Sequence, residues 1–175
     1  MKQRADVETI ILYPLQGIPL IRSGDDLCSI IIESVESNKY QFSDGDILVI
    51  AQKIVSKSEG RLVNLKQIQP SKRSIKLASR TKKDPRLVEL ILSESKKVIR
   101  FKKGLIVVQN HQGVILANAG IDHSNVEQDD EKEQVLLLPK NPDGSAEKIH
   151  KNLLSRTGFN LGVIINDSIG RAWRN

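Results

Sequence analysis

Aromatic residues are scarce in this sequence: only 3% of its 175 residues are Phe, Tyr or Trp. The hydrophobic core must therefore be built mainly from Ile, Leu and Val. The scarcity also argues against a protein that binds single-stranded nucleic acid, because such proteins stack bases on aromatic side chains. Trp173 is the single tryptophan and lies two residues before the last residue.

The sequence also has a single cysteine and no long apolar run. Cys28 is the single cysteine, so no disulfide can form within the chain, which is typical of the reducing cytoplasm. Its neighbours are apolar and no histidine lies near it in sequence, so we interpret Cys28 as a core residue rather than a nucleophile. No apolar run approaches the roughly 18 residues of a membrane-spanning helix, and residues 1–7 lack the apolar stretch of a signal peptide. We expect a cytoplasmic protein.

The net charge is +6 and the pI about 9.5. Basic pairs recur at Lys72-Arg73, Lys82-Lys83, Lys96-Lys97 and Lys102-Lys103. One interpretation is a patch for nucleic acid. Acidic residues are interleaved, which favours the other interpretation, solvated helix and hairpin faces. The positive electrostatic potential that this net charge produces would also attract a small polyanionic ligand.

Apolar periodicity and turn residues predict one domain in which helices and strands are mixed. Strands are predicted at residues 9–13, 47–51, 98–101, 105–108, 114–117, 135–139 and 162–165. Helices are predicted at residues 25–36, 71–82, from 84 onwards, and 141–156. The strand at 47–51 is continuously apolar, which predicts burial on both faces.

Short polar residues at the helix starts predict the caps. Asp25 or Asp26 is expected to cap the first helix, and Asp84, followed by Pro85, to cap the third. For the last helix we expect a cap at Asp143 or Ser145.

Two predicted strands end in the same way. Residues 113–125 (GVILANAGIDHSN) pass from an apolar strand into a glycine turn that carries Asp122, and residues 162–171 (GVIINDSIGR) end in Asp167 and Ser168. Hard cations such as Mg2+ and Mn2+ prefer oxygen ligands, and one or two carboxylates leave positions for water and phosphates. We expect the two acids to converge on a divalent metal held against phosphate oxygens. The simpler alternative is that both are turn-forming acids.

Other residues near strand ends are also candidate ligand contacts. Lys53 and Lys57 follow the strand at 47–51, where a lysine can meet a phosphate; solvent-exposed lysines are the alternative. Residues 17–21 (GIPLI) form an extended loop, because Pro19 restricts Ile18. That loop either forms a wall of a ligand pocket or is a simple edge segment. His123, beside Asp122, is a ligand candidate or a turn residue that faces water.

Together these segments resemble the coenzyme F420:L-glutamate ligase family, also called F420-0 γ-glutamyl ligases. The resemblance runs from about residue 10 to the last residue. It is carried by GIPLI (17–21), GDDL (24–27), GDILV (45–49), IVSKSEGR (54–61), NAGIDHSN (118–125), LLP (137–139), NPDGSA (141–146) and INDSIGR (165–171).

The resemblance implies a homodimeric α+β fold with mixed and antiparallel sheets and packed helices. It also implies a GTP-dependent ligase that adds L-glutamate to coenzyme F420-0, first by an amide and then by a γ-glutamyl linkage, through an acyl phosphate. Mg2+ or Mn2+ would assist, together with a monovalent cation such as K+.

By the same resemblance, Asp122, Asp167 and Ser168 match metal ligands. Nucleotide contacts match Ile18, Pro19, Leu20, Ile21, Gln52, Lys57 and Asn125. Family members continue past the position of residue 175, so we interpret residues 1–175 as the N-terminal part of a ligase domain whose C-terminal half is absent. A non-catalytic nucleotide- or cofactor-binding remnant of the same fold is the alternative.

Overall fold

The computed structural model describes residues 10–122 and 133–167, and every structural statement below refers to these two ranges. They form five α-helices and seven strands, and the strands form three small sheets. This mixture of helices with parallel and antiparallel strands confirms the predicted α+β class.

The helices are α1 (Leu27–Ser37), α2 (Gln52–Ser58), α3 (Lys72–Thr81), α4 (Pro85–Ser93) and α5 (Pro142–Thr157). The strands are β1 (Ile47–Ala51), β2 (Leu62–Asn64), β3 (Ser95–Lys102), β4 (Leu105–Asn110), β5 (Ile115–Ala117), β6 (Gln134–Leu136) and β7 (Gly162–Asn166). The sequence predicted the four longer helices but not α2.

Local capping explains where α1 and α4 begin. The Asp26 carboxylate accepts a hydrogen bond from the Cys28 N–H at 3.0 Å, which confirms the predicted cap. The Asp84 carboxylate accepts from the Arg86 N–H at 2.8 Å, and Pro85 occupies the first helical position. Each cap satisfies a backbone donor that has no partner inside the helix.

The cap of α5 is Asn141, so the prediction of Asp143 or Ser145 was wrong. The Asn141 side-chain oxygen accepts from the Gly144 N–H at 3.0 Å. Pro142 takes the first helical position, where a missing N–H is harmless, and this selects the residue before it as the cap. Ser145 lies inside the helix, and its hydroxyl donates to the Asn141 carbonyl oxygen at 3.0 Å.

The three sheets differ in how far apart their strands lie in sequence. β1 and β7 pair in parallel, from Ile47 opposite Gly162 to Ala51 opposite Asn166. β2 and β6 pair antiparallel, and β3, β4 and β5 form a local antiparallel meander. The parallel pair and the β2–β6 pair therefore join segments that lie far apart in sequence.

Two predictions about apolar segments were wrong. β1 is buried on one face only: Ile50 is buried, whereas the side chains of Ile47 and Val49 are 63% and 59% exposed. A two-stranded sheet packed on α1 and α5 lacks a second layer within the described ranges. Residues 10–13, predicted to be a strand, have no strand structure because no neighbouring strand pairs with them; residue 9 lies outside the description.

The buried apolar side chains form three clusters. The first joins α1, β1 and α5 and contains Cys28, which confirms that this cysteine is a core residue. The second lies between α3, α4 and the meander, and the third lies between α4 and the β2–β6 pair. Among the described residues, no helix has the length and apolar character needed to cross a membrane.

Candidate functional site

The turn before Asp122 has an unusual backbone. Asn118, Ala119 and Gly120 have φ angles of 50°, 55° and 69°, in the left-handed region. Each of the two non-glycine residues carries strain of about 1–3 kcal/mol in such a conformation, so the surrounding structure must hold them there. These three residues connect β5 to the segment that carries Asp122.

Packing and one side-chain hydrogen bond hold this turn. Ala119 is buried, and the Asn118 side-chain oxygen accepts from the Ile106 N–H at 3.2 Å. A Cβ atom added to Gly120 would lie 2.7 Å from a Leu138 methyl carbon and 2.8 Å from one of Leu116. A side chain at residue 120 is therefore disfavoured by the backbone angle and by the close approach of two leucine side chains, which would have to shift.

Asp122 follows this turn and is attached to β6. Its N–H donates to the Leu136 carbonyl oxygen, and its own carbonyl oxygen accepts from the Leu136 N–H, both at 2.9 Å. Its carboxylate lies 3.7 Å from the Lys53 ammonium nitrogen, and both side chains are partly exposed. The backbone of Asp122 is thus fixed by β6, and its partly exposed carboxylate lies beside the ammonium group of Lys53 in α2.

Asp167 reaches the same helix by another route. It follows Asn166, the last residue of β7, which pairs with Ala51 immediately before α2. α2 also packs against both β6 and β7. The segments that carry the two acids, far apart in sequence, therefore converge around the beginning of α2.

The two α2 residues predicted to contact a nucleotide have different surroundings. The Gln52 amide donates to the hydroxyl of the buried Ser56 at 2.5 Å, so its side chain lies along the helix. Lys57 is half-buried in the last turn of α2, four residues after Lys53 and therefore on the same helix face.

The predicted nucleotide loop lies at the other end of α2. Ile21 belongs to the first core cluster and Ile18 packs against it, whereas Leu20 is 74% exposed. Shortly after the loop, the Gly24 N–H donates to the Ser58 carbonyl oxygen at 2.9 Å. A helix of this length spans about 10 Å, so α2 separates the chain that follows the loop from the two acids.

Arg61 fixes the segment against which Asp122 pairs. Its side chain donates to the Leu138 carbonyl oxygen at 2.8 Å and to the Glu94 carboxylate at 2.7 Å. Its backbone carbonyl oxygen accepts from the Leu137 N–H at 3.0 Å. The sequence did not single out this residue, because a lone arginine after a glycine carries no pattern that indicates distant partners.

The remaining predicted ligands, Ser168 and Asn125, lie outside the described residues, as does His123. Within residues 10–122 and 133–167 no group of three or more His, Cys, Asp or Glu side chains could hold a metal ion. A pair of separate carboxylates suits Mg2+ or Mn2+, which usually keeps several waters and takes phosphate oxygens as further ligands.

The residues from 10 to 122 and from 133 to 167 thus define an α+β fold in which two acid-bearing segments meet around one short, lysine-bearing helix. The chain belongs to the F420-0:Gamma-glutamyl ligase family, whose model matches residues 17–175.

Three relatives, each named Coenzyme F420:L-glutamate ligase, illustrate the match. The Methanothermobacter thermautotrophicus protein is 46% identical over 165 residues, which are 94% of this chain and 64% of that protein. For the Methanocaldococcus jannaschii protein the identity is 39%, covering 99% of this chain and 65% of the relative. The Archaeoglobus fulgidus protein is 40% identical, and the match covers 93% of this chain and 61% of that protein. The chain therefore spans less than two thirds of the length of each of these relatives.

Proposed function

We propose that these residues belong to a cytoplasmic, GTP-dependent ligase that joins L-glutamate to coenzyme F420-0 in coenzyme F420 biosynthesis. Family membership and the names of the relatives support the acceptor and the amino acid. The geometric observation that carries the proposal is the convergence of the segments bearing Asp122 and Asp167 around the beginning of α2.

The proposed reaction has two balanced steps. The F420-0 carboxylate attacks the γ-phosphorus of GTP, the bond from that phosphorus to the β,γ-bridging oxygen breaks, and GDP leaves from an acyl phosphate. The glutamate amine then attacks the acyl carbon and loses a proton, and inorganic phosphate leaves as the amide forms. In a second cycle GTP would phosphorylate the γ-carboxylate of the glutamate already attached, and the amine of the next glutamate would displace phosphate to form the γ-glutamyl linkage.

In this proposal Asp122, Asp167 and Ser168 hold Mg2+ or Mn2+, which would neutralise phosphate charge during the transfer. Lys57, on the same face of α2 as Lys53, contacts a phosphate as a point charge. Gln52, Asn125 and the 18–21 loop would contact the nucleotide. Pro19 and Leu20 are the exposed residues of the loop and so are open to such a contact, whereas Ile21 is buried in the core.

A thermal-shift titration of a version extended to the length of the relatives tests the proposal. With GTP and Mn2+ in excess of their dissociation constants, a ligand that binds only the folded state should raise the melting temperature by several degrees. Asp122→Asn and Asp167→Asn should remove most of that shift. The control Asp143→Asn changes an exposed acid in the first turn of α5 and should keep the shift.

Absence of any shift in the unchanged protein would contradict the nucleotide site. The alternative, a binding remnant without catalysis, differs in its products: the shift would persist, but GDP would not accumulate when L-glutamate and F420-0 are supplied. Dependence of turnover on K+ and a dimeric mass in sedimentation would test the two further features that the family resemblance suggests.

A further inference from the structure

The positive charge of this chain is concentrated in two segments that are neighbours in the fold. Residues 72–83 are α3 and the two residues after it, and residues 95–104 are β3 and its turn. Together they carry eleven Lys and Arg residues and no Asp or Glu. The other residues carry 16 Lys and Arg (27 minus 11) and all 21 Asp and Glu. The net charge of +6 therefore comes entirely from these two segments.

The three acids that lie between the two segments in sequence are bonded elsewhere. Asp84 pairs with Arg86 at 2.6 Å. Glu94 pairs with Arg61 at 2.7 Å. The third, Glu89, accepts a hydrogen bond from the backbone N–H of the residue that caps α3, at 2.7 Å. The interleaving of acids in the sequence, which favoured solvated faces, thus does not carry over to the folded surface.

The two basic segments meet at one corner of the fold. The Gly104 N–H donates to the Thr81 carbonyl oxygen at 2.7 Å. Five cationic residues lie within two positions of this hydrogen bond, so each Cα atom is within about 8 Å of that of Thr81 or Gly104. These five residues, called the basic corner below, are Arg80, Lys82, Lys83, Lys102 and Lys103. Within residues 10–122 and 133–167, none of the five forms a salt bridge with a carboxylate.

Stability does not explain the basic corner. Cations are favourable at a helix C-terminus, and lysines on an edge strand deter unwanted pairing, but neither effect brings the two sets of charges together, where they repel one another. Lys82 also has a φ of 55°, the left-handed conformation that glycine adopts with less strain at a helix end. A glycine would be more stable at this position, so the lysine side chain points to a role in binding.

The cations lie on both faces of the β3–β4 hairpin. Phe101 pairs with the buried Ile106 and therefore faces the core, and the Arg80 guanidinium carbon lies 4.5 Å from the centre of the Phe101 ring. Lys102, the next residue, pairs with Leu105 and points to the opposite face. A flat bilayer would contact one of these faces, whereas a groove with charged walls would contact both.

We propose that the basic corner binds the phosphate backbone of double-stranded DNA, with the tip of the β3–β4 hairpin in the major groove. That groove is about 12 Å wide, admits a two-stranded β-ribbon and has phosphates along both sides. The scarcity of aromatic residues suits a duplex, whose bases are already stacked, rather than a single strand. Phosphate contacts carry no sequence information, so the binding is independent of base sequence. This site shares no residue with the one around α2 and does not depend on the proposed ligase function.

The test is fluorescence anisotropy of a labelled DNA duplex of two helical turns, titrated with the same extended version of the chain. We expect a dissociation constant in the micromolar range at about 50 mM NaCl. It should rise about 20-fold for each doubling of the salt concentration, because about five phosphate contacts release counterions. Two duplexes of unrelated sequence should bind equally within about twofold.

A pair of double variants with the same loss of charge locates the contact. Lys82→Gln with Lys103→Gln should lower the slope of log Kd against log salt concentration by about 2, because two phosphate contacts are lost. The control, Lys148→Gln with Lys151→Gln, removes two exposed charges from α5. It should leave the slope unchanged, since the net charge of the protein is lowered by the same amount but the basic corner is intact.

A third variant separates binding from folding. Lys82→Gly removes a charge from the basic corner and also relieves the left-handed strain at the end of α3. We therefore expect a higher melting temperature together with weaker DNA binding. A loss of binding in this variant could not be attributed to unfolding.

Several results would overturn the proposal. They are the absence of DNA binding in the unchanged protein, an equal fall in slope for both double variants, and a Lys82→Gly protein that is more stable but binds DNA as before. An RNA duplex should bind more weakly, because its major groove is too narrow for the hairpin, and equal affinity for RNA would contradict the fit to the groove. Binding to vesicles of phosphatidylcholine and phosphatidylserine without binding to DNA would assign the basic corner to a membrane surface instead.

Discussion

The ammonium nitrogen of Lys53 lies 3.7 Å from a carboxylate oxygen of Asp122. Asp122 is fixed through its backbone to β6, and Lys53 is fixed by its position in the first turn of α2. The lysine therefore occupies part of the space around the carboxylate that a divalent cation would use. Lys53 and a divalent metal ion would therefore compete for the Asp122 carboxylate, because the lysine ammonium group must move before the metal ion can bind.

We predict that Lys53→Met raises the affinity for Mn2+ in the absence of nucleotide. Two unit charges at this separation interact by about 1 kcal/mol in a water-like medium, which corresponds to about fivefold in affinity. The measurement is a calorimetric titration, with Lys97→Met as the control because it removes an exposed charge of β3, in another sheet. Unchanged or weaker Mn2+ binding in Lys53→Met would show that the lysine does not compete for the site.

We predict that Gly120→Ala destabilises the protein more than Gly104→Ala does. Both glycines have positive φ, so both substitutions introduce backbone strain of about 1–2 kcal/mol. At Gly120 the new methyl group also meets Leu116 and Leu138, whereas nothing lies within 4 Å at Gly104. The additional loss in unfolding free energy should be about 1–3 kcal/mol, measured by urea unfolding. Equal losses for both variants would mean that the leucines move aside freely.

We predict that Arg61→Met lowers the unfolding free energy by about 2–4 kcal/mol, because the partly buried Glu94 carboxylate and the Leu138 carbonyl lose their donor. Lys151→Met is the control: it breaks an exposed pair with Glu147, and such pairs contribute less than about 1 kcal/mol. Chemical denaturation of both variants gives the comparison. If Arg61→Met lowered the unfolding free energy as little as the control does, the hydrogen bonds of Arg61 would not contribute to stability.

We predict that Asp84 contributes to acid sensitivity. Hydrogen bonds from the Arg86 side chain hold the pKa of Asp84 below its ordinary value of 3.8. The ionised form is favoured in the folded state, so this stabilisation is complete above the ordinary pKa and is lost as the pH falls through the folded-state pKa.

Asp84→Asn keeps a capping oxygen but has no charge to titrate. The difference in unfolding free energy between about pH 6 and about pH 3 should therefore be smaller in this variant than in the unchanged protein. Arg86→Gln should reduce the difference in the same way, because it removes the cause of the shift. The same difference in all three proteins would contradict the assignment.

Elements with local signals were predictable from the sequence. α4 begins at Pro85, as the sequence Asp84-Pro85 predicted, because a capping residue and a first-turn proline act within one turn of the chain. The same logic misled us at α5, where three possible cap residues lie within five positions and Pro142 selects Asn141.

Features that depend on distant segments were not predictable. The sequence of β1 is apolar throughout, but which face becomes buried depends on α1 and α5 and on how many strands join the sheet. For the site, the position of Asp167 directly after β7 was predictable from the sequence. The approach of Lys53 to Asp122 was not, because it depends on how α2 packs against β6.

The parallel pairing of β1 with β7 also governs when the protein can finish folding. Ile47 and Gly162, which face each other in this pair, are 115 positions apart (162 minus 47). At translation rates of about 5–20 residues per second, β1 leaves the ribosome roughly 6 to 23 s before its partner is synthesised. The β3–β4–β5 meander can form during this time. The nascent chain then contains a folded meander and an unpaired, apolar β1, the kind of segment that chaperones bind.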